Sequence, residues 1–243
     1  MAYTAAAAAS APERIRRPAL GAGIVRRRRR RATGEAGGGA VVLGEATAPG
    51  APTLSAQRVV VDQGASIDAS ATTRGTGGTI ALRSTGDIAV NGALTTRGGP
   101  QGGDGGAIRL DADGKIRLGG AIDAGADDGA RGRLDIATEA WSIATDEAAS
   151  LSYALRSGTN VAIDVQGALS LDATIDGRGD VAGASFKARS SGDLLQNADL
   201  FTERGNVTLE STGGRFEMVE QKEPQPAIDG SRRAPLISTG DAS

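Results

Sequence analysis

The sequence contains no cysteine and no histidine among its 243 residues. Without cysteine, the chain has no disulfides, no thiolate metal ligands and no cysteine nucleophile. Without histidine, it has neither a Ser-His-Asp triad nor a histidine-liganded zinc site. Phe, Trp and Tyr number only six, and 27 Lys and Arg residues nearly balance 29 Asp and Glu residues, for a formal net charge of −2. We therefore expect little catalytic chemistry and no nucleic-acid partner.

The two ends of the sequence lack the patterning of the middle. Residues 1–33 combine an alanine run at residues 5–9 with six consecutive arginines at residues 26–31. A secretion signal would place its basic residues before its apolar segment, and a nucleic-acid arm would interleave aromatic residues. We expect a disordered Ala/Arg-rich leader at residues 1–33 and a disordered tail or linker at residues 219–243, where Pro224, Pro226 and Pro235 lie. No apolar run reaches the roughly 18 residues of a membrane span.

Between these ends, residues 34–218 carry an internal repeat. A short segment with two apolar residues separated by one other residue recurs at intervals of 28, 26, 27, 25 and 21 residues. The first apolar residues of the six copies, here called the anchors, are Ile80, Ile108, Leu134, Val161, Phe186 and Val207. Alternation with a period of two is typical of a strand with one buried face. We expect the anchors to face inward and their neighbours to face solvent.

Two further sets of segments share this period. The second set begins at Ile88, Ile116, Trp141, Leu169, Leu194 and Phe216, with the polar Gln196 at one inward position. The third and weaker set runs through Ile67, Leu94, Ile122, Ile175 and Leu200, and its member in the fourth coil could be Leu151 or Leu155. Three short strands per coil, separated by Gly, Asp and Asn turns, predict an all-β fold, a parallel β-helix of about six coils.

Charged residues support the stacking of equivalent positions. Outward side chains one rung apart lie about 4.8 Å from each other, so like charges there would destabilise the sheet. The position three residues after each anchor holds, in order, Arg83, Asp111, Ala137, Asp164, Arg189 and Glu210. All adjacent charged neighbours in this series have opposite signs, and Arg109 likewise falls beside Asp135.

Four segments carry a resemblance to a known family. They are VVVDQGASIDASA at residues 59–71, LTTRGGPQGGDGGAIRLDADGKIRLGGAIDAG at residues 94–125, GTNVAIDVQGALSLDATI at residues 158–175 and GNVTLEST at residues 205–212. These segments resemble the repeat region of filamentous-haemagglutinin-type exoproteins of Gram-negative bacteria. The resemblance implies a right-handed parallel β-helix, which also agrees with the general handedness of parallel crossovers.

The same resemblance implies a function. Members of this family are exported by two-partner secretion through an outer-membrane transporter and act as adhesins at the cell surface or after release. The expected partners are therefore that transporter and host-cell or glycan surface ligands, and the expected location is extracellular or at the bacterial cell surface. The Asn-rich secretion domain of the family is not among these residues, so we interpret the chain as an internal fragment of a larger exoprotein or as a degenerate member of the family.

Two other functions remain open, namely an autotransporter passenger and a carbohydrate-active β-helix enzyme. The enzyme would require clustered carboxylates over a cleft, and a groove lined with three or more acidic residues would indicate it. Candidate sets close in sequence are Asp111, Asp113 and Lys115, and Asp127, Asp128 and Arg131. We interpret both sets as solvated turns. Trp141 and Tyr153 could stack on sugars, although a lone Trp at an inward position is typical of a core.

Possible metal ligands are also better explained as turn residues. Residues 98–110 partly match a calcium-binding nonapeptide, but Asp104 is one position out of place and the motif does not recur in tandem. Asp68, Asp123 and Asp176 recur in the third set, too far apart to supply the six or more oxygens that calcium requires. We assign no catalytic, cofactor-binding or metal-binding residue, and expect a non-catalytic structural and adhesive rod segment.

Overall fold

The computed structural model describes residues 4–6, 23–25, 29–46, 54–219, 221–222, 232–233 and 236–239. The first strands in chain order are β1 (Thr4–Ala6), β2 (Gly23–Val25), β3 (Arg29–Arg31), β4 (Ala40–Leu43), β5 (Glu45–Ala46), β6 (Leu54–Ser55), β7 (Arg58–Val61), β8 (Ser66–Asp68), β9 (Thr79–Ser84), β10 (Asp87–Val90), β11 (Ala93–Thr95), β12 (Ala107–Ala112), β13 (Ile116–Leu118) and β14 (Ile122–Asp123). There follow β15 (Arg133–Thr138), β16 (Trp141–Ile143), α1 (Thr145–Arg156), β17 (Asn160–Val165), β18 (Leu169–Leu171), β19 (Ile175–Gly177), β20 (Phe186–Ser190), β21 (Leu194–Gln196), β22 (Leu200–Thr202), β23 (Val207–Ser211), β24 (Phe216–Met218), β25 (Gln221–Lys222), β26 (Arg232–Arg233) and β27 (Ile237–Ser238).

These elements wind into stacked coils with three sides. Sheet 1 has eight strands in the spatial order β1-β4-β9-β12-β15-β17-β20-β23. The second side carries sheet 2a (β2, β7, β10, β13) and sheet 2b (β16, β18, β21, β24), and the third side carries sheet 3a (β3, β8, β11, β14) and sheet 3b (β19, β22, β27). Apart from β1, which runs antiparallel to β4, neighbouring strands in these sheets are parallel. The predicted parallel β-helix is confirmed, with about five turns rather than six.

The register in all three columns is the predicted one. Ile108 lies between Ile80 and Leu134 in sheet 1, and the anchor series continues without a slip to Val207. The second column pairs Ile88 with Ile116 and, separately, Trp141 through Leu169 and Leu194 to Phe216. The third column pairs Ile67 with Leu94 and Ile122, and Ile175 with Leu200. Because the side-chain period is two, this register decides which residues reach the core.

The core is a stack of aliphatic side chains along the solenoid axis. Inward residues of neighbouring coils, such as Ile80, Leu82, Ile108 and Leu110, have no exposed surface. Burial of one such side chain stabilises the fold by about 1.5–3 kcal/mol, whereas ordering each backbone residue costs about 1–2 kcal/mol. A single coil therefore cannot fold alone, and each coil is stabilised by its neighbours.

The third side of the fourth coil holds a helix instead of a strand. Leu151 and Leu155, the two candidates for this column, both lie on α1 and are fully buried. The expectation of a third strand in this coil is wrong, because residues 145–156 contain no glycine or proline and are rich in helix-forming residues. Asp146 and Glu147 in the first turn and Arg156 in the last turn also complement the helix dipole.

Two of the three ladders are interrupted between the third and fourth coils. Strand β13 has no ladder to β16, and β14 has none to β19, so sheet 1 alone runs through this junction. The turn between the first and second sides is one residue shorter in the fourth coil than in the third. Trp141 follows Leu134 by seven positions, whereas Ile116 follows Ile108 by eight. The buried indole of Trp141 bridges the gap by donating a hydrogen bond to the carbonyl of Ile116 at 2.9 Å.

Both predicted disordered ends contribute strands where the structure describes them. In the leader, β1 pairs with β4, β2 with β7 and β3 with β8, and Ala32 is buried. The boundary predicted at residue 34 is therefore too late, because the backbone of residues 29–31 completes sheet 3a although the side chains are arginines. In the tail, β25 pairs with β26, and β27 extends sheet 3b beside β22. Residues 1–3, 7–22 and 26–28 of the leader and residues 220, 223–231, 234–235 and 240–243 of the tail lie outside the described residues. Among the described residues, no helix has the length and apolar character to cross a membrane.

Candidate functional site

The outer face of sheet 1 carries several charged side chains on neighbouring coils. Its residues alternate between core and solvent along each strand, and the parallel register lines up equivalent side chains from coil to coil. The face therefore presents rows of side chains at a fixed spacing of about 4.8 Å. Its hydrogen-bonded strands form a continuous platform for contact with another molecule.

A depression in this face is lined by charged side chains. The charged groove, as we call it, contains the outward residues Arg109, Asp111, Asp135, Asp164, Lys187 and Arg189, and has a volume of about 520 Å³. Ala137 and Ala162 lie in its floor, between longer side chains on the neighbouring coils. The depression exists because these two positions carry small residues where the adjoining coils carry Asp or Lys.

Only some of the opposite charges that the register places on neighbouring rungs form ion pairs. Arg189 Nε and Glu210 Oε2 lie 3.8 Å apart, as the stacked register predicts. Arg83 instead binds Glu45 at 2.7 Å, and Asp135 binds Arg133 on its own strand at 3.1 Å. Among the described residues, Arg109, Asp111, Asp164 and Lys187 form no ion pair. These four charges are therefore available to a ligand.

The first candidate catalytic set is spread along one edge of the face. Asp111 belongs to the groove, Asp113 lies in the following turn, and both line a second depression of about 570 Å³ together with Glu139. Lys115 is exposed, and its backbone N–H donates to Asp87 Oδ1 at 3.0 Å. The fold thus brings three acidic residues around each depression, with Asp111 shared between them, and three basic residues balance those of the charged groove.

The second candidate set does not converge on one site. Asp127 forms an ion pair with Arg97, and Asp128 is exposed in the turn. Arg131 donates a hydrogen bond to the carbonyl of Ala182. These side chains stabilise contacts between corners, as the turn interpretation predicts.

The aspartates considered as calcium ligands have protein partners of their own. Asp123 accepts two hydrogen bonds from Arg97, at 2.8 and 3.1 Å, and one from the backbone of Gly125. Asp68 accepts from the backbone N–H of Ser70, and Asp104 accepts from that of Ala130. Among the described residues, no three His, Cys, Asp or Glu side chains are placed to share a metal ion.

The sugar-stacking hypothesis is not supported for its first residue. Trp141 is 6% exposed and lies in the core, so its ring cannot receive a ligand from solvent. Tyr153 is exposed on α1. The interpretation of Trp141 as a core residue is confirmed.

A corner network around Asp172 could have been found only from the fold. Its carboxylate accepts hydrogen bonds from Ser142 at 2.5 Å, Ser170 at 2.8 Å and Asn197 at 2.6 Å. Partial burial raises the pKa of Asp172, but these hydrogen bonds outweigh the burial and hold it below its ordinary value. The three donors come from three different coils, so the network links three successive coils.

Arg97 provides a second network at the corner before sheet 1. Partial burial lowers the pKa of this guanidinium. The hydrogen bonds and charges of Asp123 and Asp127 raise the pKa by a larger amount, so the net shift is upward. Asp123 follows Arg97 by 26 residues, close to one coil length. Opposite charges at that separation are the sequence signal that would have identified this contact.

The corner loop after β19 presents a third polar site. Arg178, Gly179 and Asp180 are all exposed there. Arg178 pairs with Asp176 at 2.8 Å and stacks 4.0 Å above the ring of Phe201. The hydrogen bond from Arg178 is the largest cause of the lowered pKa of Asp176. Asp180 forms no hydrogen bond or ion pair within the described residues.

This Arg-Gly pair differs from the four others in the chain. At the others, a Cβ on the glycine would lie 1.7–2.2 Å from a backbone carbonyl oxygen, as occurs at Gly75, Gly98, Gly132 and Gly205. A Cβ on Gly179 would meet only the side chain of Arg156, at 3.3 Å. Close packing therefore requires glycine at four corners, whereas the corner at Gly179 has space for a larger residue.

Comparison with known protein families and with curated protein sequences finds no match for this chain.

Proposed function

We propose that the chain is a non-catalytic structural and adhesive rod segment of a secreted or surface-displayed bacterial exoprotein of the filamentous-haemagglutinin type. The observation that carries this proposal is the charged groove, an open polar site on a rigid sheet with four charges free of ion pairs. The resemblance of the four segments to that family implies export through an outer-membrane two-partner transporter. The location that follows is extracellular or at the bacterial cell surface.

The shape of the groove favours weak, repeated contacts. Arg109 and Lys187 are separated by three rungs, or about 14 Å, which matches an extended polar ligand rather than an enclosed small molecule. Arginine, lysine and aspartate side chains form hydrogen bonds with the hydroxyl, carboxylate and sulfate groups of cell-surface glycans. Each shallow contact contributes little, so that retention depends on several copies binding at once.

The experiment compares immobilised chain with free chain. Beads coated with the protein should retain host cells or glycans, while the soluble chain should compete poorly. The double variant Asp164→Asn with Lys187→Gln should reduce retention several-fold, because it removes two free charges and leaves the net charge unchanged. Arg117→Gln changes an exposed arginine on sheet 2a and serves as the control. Equal retention by all three proteins would contradict the assignment to sheet 1.

The corner at Arg178, Gly179 and Asp180 offers a second adhesive contact. An Arg-Gly-Asp tripeptide presents opposite charges on either side of an unobstructed glycine, which suits a receptor with an acidic group and a bound cation. Gly179→Ala and Asp180→Glu should lower cell retention without changing the melting temperature. A short Arg-Gly-Asp peptide should compete in the same way. If both variants retain cells as well as the original chain does, the corner makes no adhesive contact and adhesion is confined to the charged groove.

A carbohydrate-active enzyme remains the second candidate, because each depression is bordered by three acidic side chains. Its test is turnover of a polysaccharide panel by the purified chain. Cleavage that is abolished by Asp111→Asn, which changes the acidic residue shared by both depressions, would favour the enzyme over the adhesin. We expect no turnover.

A further inference from the structure

The charged groove has a basic side and an acidic side. Each strand beneath it directs two side chains outward, two residues apart, so the register forms two rows that run along the solenoid axis. The first row contains Arg109 and Lys187, and the second row contains Asp111 and Asp164. These are the four groove charges that form no ion pair within the described part of the chain. The free charges are therefore positive in the first row and negative in the second.

The two other charged side chains of the groove are balanced from outside it. Asp135, in the first row, forms an ion pair with Arg133 at 3.1 Å. Arg189, in the second row, lies 3.8 Å from Glu210. Arg133 and Glu210 do not line the groove, so each pair offsets a charge that would otherwise blur the division between the rows.

The second depression, lined by Asp111, Asp113 and Glu139, continues the acidic side. Among the described residues, no lysine or arginine lines it. Ala137 and Gln166 line both this depression and the charged groove, so the two are connected beside the second row. A ligand in the groove therefore meets positive charge along one edge and negative charge along the other.

This arrangement of opposite charges occurs twice along the axis. Arg109 and Asp111 lie about 7 Å apart along β12. Asp164 and Lys187 form a second such pair on the adjacent strands β17 and β20. The two bases are separated by about 14 Å and the two acids by about 10 Å, three and two rungs respectively. A linear ligand that lies along the axis can therefore place two successive units on the two pairs.

We propose that the charged groove binds a linear glycan that carries both carboxylate and free amino groups. This inference rests on the proposed adhesive function and names its class of ligand. The glycan carboxylates accept charge-assisted hydrogen bonds from Arg109 and Lys187, and its ammonium groups donate to Asp111 and Asp164. A purely anionic glycan would place like charges beside the second row, and a purely cationic glycan would do so beside the first, so both bind more weakly.

The backbone beneath the groove favours a glycan over an extended peptide. Strands β15 and β17 are paired on both edges, so a peptide cannot add to them as a further strand. Only side chains are available to a ligand here. Charged and hydroxyl groups spaced along a sugar chain suit such contacts.

Three labelled hexasaccharides provide the test, applied to beads coated with the full chain. De-N-acetylated hyaluronan carries both charges, hyaluronan carries carboxylates alone, and chitosan carries amines alone. The first should be retained several-fold better than either of the others. Equal retention of hyaluronan or chitosan, or no retention of the de-N-acetylated probe, would overturn the proposal.

A charge variant tests the placement of the ligand. Asp111→Asn with Asp164→Asn should abolish the preference for de-N-acetylated hyaluronan over hyaluronan. Asp146→Asn with Glu217→Gln makes the same change in net charge at exposed positions outside both depressions and should preserve the preference. Loss of the preference in both variants would show that net charge alone decides binding and would refute the assignment to the groove.

The outcome is separable from that of the proposed function. Beads that retain cells but show no preference among the three hexasaccharides would refute this inference and leave the adhesive function standing. Beads that retain neither cells nor hexasaccharides would refute both.

Discussion

Replacement of Ile108 by alanine tests the central claim about the core. Ile108 has no exposed surface and lies in the middle of sheet 1, between Ile80 and Leu134 on the adjoining coils. The substitution removes three carbon atoms from a position that the neighbouring coils cannot fill without moving their own strands. Such substitutions cost about 2–5 kcal/mol in the free energy of unfolding.

The expected shift can be measured by thermal unfolding. In a chain of this size, 1 kcal/mol corresponds to about 2–4 °C, so Ile108→Ala should lower the melting temperature by about 4–20 °C. Ile108→Val should cost only about 0.5–1.5 kcal/mol, which provides an internal scale. The assay is the loss of far-ultraviolet circular dichroism on heating.

Arg109→Ala is the matched control, because Arg109 is the next residue, is exposed and has no ion pair among the described residues. Its effect should stay within about 0.5 kcal/mol. Comparable losses from Ile108→Ala and Arg109→Ala would refute the alternation of core and solvent residues along β12.

Three further predictions follow from local contacts. Trp141→Phe keeps an aromatic ring in the core but leaves the carbonyl of Ile116 without its donor, so calorimetry should show that the free energy of unfolding falls by about 1–3 kcal/mol. An unchanged free energy of unfolding would mean that water replaces the indole N–H. Asp172 has a folded pKa below the ordinary value of 3.8, so its contribution is present above pH 3.8 and is lost as the pH falls through the folded pKa; Asp172→Asn should lower the melting temperature at pH 7, and the difference should shrink in acid. Gly205→Ala places a Cβ 1.7 Å from the carbonyl oxygen of Ala184 and should severely reduce the soluble yield, whereas Gly179→Ala should leave the soluble yield unchanged.

The sequence was sufficient for the fold because the information is repeated. An apolar alternation that recurs six times defines the inward face, and a slip of one residue would expose every anchor. The junction at the fourth coil could not be predicted in the same way. The structure of this junction depends on a turn shortened by one residue and on whether Leu151 and Leu155 lie on a strand or on a helix. The sequence does not decide between these two conformations, because both place an apolar residue in the core.

The candidate site was only partly predictable. The sequence identified which charges share the outer face of sheet 1, but not that Arg83 would bind Glu45 rather than Asp111. Long arginine side chains reach several neighbours, so a register does not decide which carboxylate they bind. The depression at Ala137 and Ala162 likewise arises from side-chain size on adjoining coils, which becomes visible only when the coils are stacked.

The interrupted ladders between the third and fourth coils bear on how the molecule unfolds. In a linear array, cooperativity is transmitted through the contact between one unit and the next. At most junctions this contact consists of three strand pairs, whereas at the junction before β15 it consists of one strand pair, helix α1 and the indole of Trp141. Coupling is therefore weakest at this point, and the array is expected to melt as two blocks, with an intermediate in which one block remains folded. Trp141, the sole tryptophan, lies at their boundary and would report its opening directly by fluorescence.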